Sequence, residues 1–152
     1  MLTKLCLDNN MIERIHGIGH LKQLRWLDLS FNKIRKIEGL SELKQLQDLS
    51  LYSNKISVIE GLDECPNLQC LSLGNNRIDS LDQAIKLRQL RALKMVNLTG
   101  NPICKEPEYK TTVRSRTLTL TLTNPNPNPD PNPNPNPNPN PNPNQVLAYV
   151  SK

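Results

Sequence analysis

The stretch Leu24-Arg-Trp-Leu27-Asp-Leu29-Ser-Phe-Asn32-Lys-Ile34 follows the frame L-x-x-L-x-L-x-x-N-x-I, and that frame decides the fold. It recurs at Leu2–Ile12, Leu46–Ile56 and Leu68–Ile78, so that Asn10, Asn32, Asn54 and Asn76 stand at an interval of 22. A further copy runs from Leu93 to Ile103, with Val96 in place of a leucine, and its Asn101 follows Asn76 after 25 residues. Self-similarity at a fixed period of this order is the mark of a solenoid. Within each frame the alternation x-L-x-L has the period of a strand, with its leucines on one side. A strand so short cannot bury its apolar side alone, whereas five stacked in parallel share a continuous core.

The other half of each unit reads I-x-x-I-x-G-L-x-x-L, as in Ile34, Ile37, Gly39, Leu40 and Leu43. Its spacing of three predicts a short 3₁₀ or helical return. Gly17, Gly39 and Gly61 recur there, which predicts a tight or left-handed turn. The repeated asparagine has a structural task. Chain leaving the strand enters a buried turn whose backbone groups lack a sheet partner, and an inward amide carries both donors and an acceptor to satisfy them. Asn10, Asn32, Asn54, Asn76 and Asn101 are therefore read as a structural ladder and not as a ligand site. The expected fold class is α/β: a solenoid with a short parallel β-sheet on its concave face, 3₁₀ or short helical returns on its convex face, and a disordered C-terminal tail.

Composition narrows the function classes. The chain has 152 residues and a formal charge of +5, too weak a bias to argue for nucleic acid. No signal peptide and no apolar run long enough to span a bilayer is present, so no membrane association is expected. Cys65 falls at a core position, Cys6 and Cys70 at outward strand positions of different repeats, and Cys104 stands alone after Ile103. Scattered single thiols point to a reducing compartment, hence the cytoplasm or cytoskeleton, where the Asn97-Leu98-Thr99 sequon is unused.

The chain carries no phosphate loop, nucleophile elbow or H-E-x-x-H motif. His16 and His20 stand four apart but have no Cys or carboxylate pair at ligand spacing, so they read as solvated histidines rather than metal ligands. Asp8, Asp28 and Asp48 could do acid–base work only if desolvated. No catalytic residue, cofactor, metal or small-molecule substrate is assigned, and an enzyme is not expected.

The outward strand positions are more informative. Three of the five aromatic residues, Trp26, Phe31 and Tyr52, fall there among carboxylates that include Asp28 and Asp48. Aromatics on a concave sheet, interleaved with charge, fit a protein-binding surface with anchor residues. Trp26, Asp28, Phe31, Asp48 and Tyr52 are the candidate partner contacts. The plainer alternative for Phe31 and Tyr52 is packing along the rim against the next repeat. On another side, Lys33, Lys55 and Arg77 share one register, joined by Arg35 and Lys36, either as a docking edge for an acidic partner or as a solvated edge partly neutralised by Glu38 and Glu60.

Beyond Lys110 the composition changes. Thr117–Thr123 alternates Thr and Leu, and Asn124–Asn144 alternates Asn and Pro apart from Asp130, a tract that holds ten of the thirteen prolines. Such a tract has no apolar pattern to bury and predicts an extended polyproline-II-like segment. A repeated CCCTAA hexamer reads Leu-Thr in one frame and Pro-Asn in another, so we expect residues 111–145 to be translated simple-repeat DNA. Joined across it, Tyr109, Val146, Leu147 and Val150 take helical spacing, as a capping helix would. The expected domains are a repeat domain over 1–110, a low-complexity insertion over 111–145 and a cap remnant over 146–152.

The 22-residue units resemble the intracellular class of leucine-rich repeat typified by the nuclear regulatory subunit of protein phosphatase 1. The segments Leu5–Asn10, Trp26–Asn32, Leu49–Asn54, Leu71–Asp79 and Asn101–Cys104, then Tyr109-Lys110 and Leu147–Tyr149, more closely resemble the dynein regulatory complex subunit 3 family. The resemblance implies a non-catalytic component of the nexin–dynein regulatory complex in the axoneme of motile cilia and flagella, with other axonemal proteins as partners. Against that family the chain begins one repeat late, carries the tract and lacks the coiled coil. The alternative implied is a regulatory or targeting subunit of a protein phosphatase.

Overall fold

The computed structural model describes residues 1–107, Tyr109 and the pair Thr121–Leu122. Strands β1 (Lys4–Cys6), β2 (Trp26–Asp28), β3 (Asp48–Ser50), β4 (Cys70–Ser72), β5 (Met95–Asn97) and β6 (Thr121–Leu122) form one sheet in chain order. Every neighbouring pair is parallel. The central leucines Leu5, Leu27, Leu49 and Leu71 stand opposite one another, with Val96 continuing the row. Three-residue strands suffice because each inner backbone pairs on both sides while its apolar residues join a core that runs the length of the stack. That core takes Leu24, Leu27, Leu29, Ile34, Ile37, Leu40 and Leu43 from the second unit and the equivalent residues from those after it.

The first three returns depart from the expected helices. In the first three units they are chains of separate turns: Leu21 N bonds Ile18 O and Leu24 N bonds Leu21 O, and the same pair of i to i+3 bonds recurs at Leu43/Leu46 and at Cys65/Leu68. The spacing of three is thus right for the hydrogen bonds, but 22 residues leave no room for a continuous helix. Among the described residues the 25-residue unit holds the one α-helix, α1 (Leu81–Lys86), which runs into a 3₁₀ turn at Leu87–Gln89, and the last unit has the expected 3₁₀ return at Pro102–Lys105. Ser80 caps it, its Oγ accepting from Asp82 N. The glycine prediction holds: Gly17, Gly39 and Gly61 have φ of +74, +71 and +68. At Gly39 a Cβ would stand 2.4 Å from Ile15 O, so close stacking excludes a side chain there as well.

The far end also differs from expectation. A compact unit spans Met1–Leu122, past the boundary expected at 110, because Thr121 and Leu122 pair with Met95 and Val96 inside the stretch read as disordered. The Thr-Leu alternation has the period and the β-branched content of a strand, and β5 offers it a free edge. The Asn-Pro tract and the cap remnant at 146–152 lie outside the described residues. Tyr109, at the expected start of the cap, is buried at the end of the core.

Candidate functional site

Register arranges the concave face in columns. Lys4, Trp26, Asp48, Cys70 and Met95 form one, and Cys6, Asp28, Ser50, Ser72 and Asn97 another. Parallel pairing therefore places Trp26 directly beside Asp48, with Asp28 two residues along the same strand. All three are half-buried.

Asp28 is tied into its own repeat. Its Oδ1 accepts from Ser30 N at 2.8 Å and from Ser30 Oγ, and Ser30 Oγ lies 2.7 Å from Ser50 Oγ. In the last repeat Asn97 does the same for Thr99, its Oδ1 accepting from Thr99 N at 3.0 Å and Thr99 Oγ1 at 2.7 Å. Burial pushes the Asp28 carboxyl above its ordinary range, the Ser30 hydrogen bonds pull it back in part, and the Asp8 charge adds to the rise.

Phe31 and Tyr52 meet edge to face, with ring centroids 5.5 Å apart. Tyr52 also lies over the next repeat: a Cβ on Gly74 would stand 2.9 Å from its Cδ2 and Cε2, and its hydroxyl accepts from Asn75 Nδ2 at 2.7 Å. Tyr52 thus packs along the rim against the next repeat while remaining only half-buried. Phe31 is half exposed, at 50%, and its backbone is left-handed, with φ +55. The same conformation recurs at Asn9, Ser53 and Asn75, so the fold requires it at every turn, and a bulky residue suits it poorly.

The asparagine ladder does more than expected. Asn54 Nδ2 donates to Leu51 O and Tyr52 O of its own repeat at 3.2 and 3.3 Å, and to Leu29 O of the preceding repeat at 3.0 Å, while its Oδ1 accepts from Ile34 N at 2.9 Å. Asn32 and Asn76 repeat that set, and Asn101 bonds Leu73 O, Leu98 O and Ile78 N. Each amide therefore joins two repeats. Asn10 is exposed and bonds only Leu7 O and Asp8 O of its own.

One group among the described residues could approach a metal: ligand atoms of Cys6, Asp8 and Asp28 lie within 4.8 Å of one another. The chemistry is unfavourable, because burial and the hydrogen bond to Asp8 push the Cys6 thiol up to about 11, and its Sγ donates to Asp8 Oδ1 at 2.7 Å. Cys70 is pushed up to about 12 by burial and its hydrogen bond to Asp48. His16 and His20 are exposed. Among the described residues, no helix is long and apolar enough to cross a membrane.

On the convex side the charges pair between repeats. Arg14 meets Glu38 at 2.9 Å, Lys36 meets Glu60 at 4.0 Å, Lys22 meets Glu42 at 3.8 Å, and Lys44 meets Glu64. The neutralisation expected of Glu38 and Glu60 thus goes to Arg14 and Lys36, and Lys33, Lys55 and Arg77 lie apart from it. Sequence reasoning missed α1, although Ser80-Leu-Asp-Gln83 is a capping-box signature. Gln83 is also drawn into the stack, its Oε1 accepting from Ile59 N at 3.0 Å.

A family model described as leucine-rich repeat matches residues 2–124. A solved structure of the Drosophila melanogaster SNF/U2A′ complex contains a chain 32% identical, superposing with TM-score 0.72 over 78% of this chain and 70% of that one. A leucine-rich repeat protein of Leptospira interrogans is 26% identical with TM-score 0.58, over 80% of this chain and 36% of its own. The InlJ functional domain of Listeria monocytogenes is 26% identical with TM-score 0.56, over 74% of this chain and 24% of its own. No curated protein matches the sequence.

Proposed function

The chain belongs to the leucine-rich repeat family, and from that premise we propose that it is a non-catalytic protein-interaction module whose concave face binds another protein through Trp26, Asp28, Phe31, Asp48 and Tyr52. Members of this family are generally binding modules without catalysis, and the similar chain from Drosophila was solved in a complex. The observation that carries the choice of face is Phe31. A half-exposed ring occupies a left-handed position that the fold requires at every turn and that Asn9 and Asn75 fill more easily. Braced edge-on by Tyr52 and half exposed just beyond the end of β2, it has the character of an anchor.

The resemblance of the repeat run, with its 25-residue interval before Asn101, supports a finer reading: a regulatory subunit of the nexin–dynein regulatory complex, held in the cytoskeleton of the ciliary or flagellar axoneme with other axonemal subunits as partners. Affinity capture from axonemal extract is expected to recover such subunits. Recovery of a phosphatase catalytic subunit in their place selects the phosphatase-targeting alternative. With the captured partner, Trp26→Ala and Phe31→Asn are each expected to weaken binding by about tenfold or more while the thermal unfolding stays cooperative. Unchanged affinity in both variants would move the interface off the concave face.

A further inference from the structure

We propose that the edge bearing Lys33, Lys55 and Arg77 is a second docking surface, for an extended acidic peptide segment. The three residues follow successive ladder asparagines, and each backbone N–H bonds the preceding repeat: Lys33 N to Ile12 O at 2.9 Å, Lys55 N to Ile34 O at 2.8 Å and Arg77 N to Ile56 O at 2.8 Å. Those bonds stack them in a single column at the spacing of the repeats, about 5 Å. Arg35 lies two residues from Lys33 and adds to the same edge.

The column is set apart by its regularity, with a cation at the same register of three successive repeats. The neighbouring glutamates Glu38, Glu42, Glu60 and Glu64 are engaged with Arg14, Lys22, Lys36 and Lys44. Among the described residues, Lys33, Lys55 and Arg77 have no ion-pair partner, and Asp79, two residues beyond Arg77, makes none with it. The fold does not need cations there, because Met11 and Pro102 occupy the equivalent positions of the first and last repeats. Three like charges one repeat apart repel one another, and an acidic segment laid along the stack relieves that repulsion. The aromatic residues of the chain are not interleaved with this column, so it lacks the stacking platform of a single-stranded nucleic-acid site. A flexible run of carboxylates, able to meet successive cations along the stack, fits it.

The test is fluorescence anisotropy of the full chain with a labelled polyglutamate peptide of about ten residues, at low and moderate salt. Binding that weakens with salt is expected, together with a loss of about tenfold or more in both Lys33→Glu/Lys55→Glu/Arg77→Glu and the milder Lys33→Gln/Lys55→Gln/Arg77→Gln. Lys36→Gln/Lys44→Gln, which removes cations already paired, is expected to change affinity less than about twofold. Trp26→Ala is expected to leave it unchanged, which separates this surface from the concave one. Equal loss in the Lys36/Lys44 variant would reduce the effect to net charge and overturn the proposal, as would tighter binding of a thymidine oligonucleotide of equal charge, or no binding of polyglutamate at all.

Discussion

At the scale of single residues, the ladder shows how one side chain can do work that a strand pattern only hints at. Asn54 satisfies three carbonyls and one N–H across two repeats. Removing the amide leaves buried backbone groups unpaired, so Asn54→Ala is expected to lower stability by about 1–3 kcal/mol in urea unfolding. Asn10→Ala is expected to cost well under half as much, because Asn10 is exposed and its two carbonyl partners can turn to water. Equal costs would contradict the cross-repeat role. Asp28 makes a pH-dependent case. Its carboxyl holds a proton more tightly folded than unfolded, so the stability it contributes is full below the unfolded value of 3.8 and falls as pH rises through the raised folded value. Asn97 makes the equivalent bonds with an amide, so Asp28→Asn is expected to match or exceed the parent stability at neutral pH, by up to about 1 kcal/mol. That difference should vanish in acid, and a variant less stable at pH 7 would show that the charge itself is needed.

At the scale of elements, strand and return were unequally legible. The x-L-x-L alternation located β1 to β5, and the repeated Gly marked the left-handed turns. The form of the returns was not legible, because a spacing of three suits both isolated turns and a 3₁₀ helix, and only the room available decides between them. The glycine turns provide the measurement. Gly39→Ala meets a positive φ and the Ile15 carbonyl together, whereas Gly17 has the positive φ and open space above it. Both substitutions are expected to destabilise, Gly39→Ala by at least about 1 kcal/mol more than Gly17→Ala, as read from paired thermal melts. Equal shifts would mean that the backbone conformation alone sets the cost. The candidate contacts divide in the same way: their outward direction was legible from alternation, whereas the stacking of Tyr52 on Gly74 and the half-burial of Trp26 depended on neighbouring repeats.

At the scale of the whole molecule, the stack is a core built by translation, and its first turn shows what each turn supplies to the next. Leu24, Leu46 and Leu68 are fully buried, whereas Leu2, in the same frame position, is 48% exposed and Leu5, Leu7 and Ile12 are only half-buried. At the other end β6 pairs with β5 and Tyr109 closes over the core. The sequence by itself determined the number of frames, the side of each strand that goes dry and the residues left facing outward, because hydrophobic period and turn chemistry are local properties of the chain. Tertiary structure alone decided which carbonyl each asparagine reaches in the preceding repeat, which glutamate each convex cation meets, and which cations are left without one. Those outcomes depend on how far one turn of the solenoid is set above the last, a distance of a few ångströms fixed by the packing of all the repeats together.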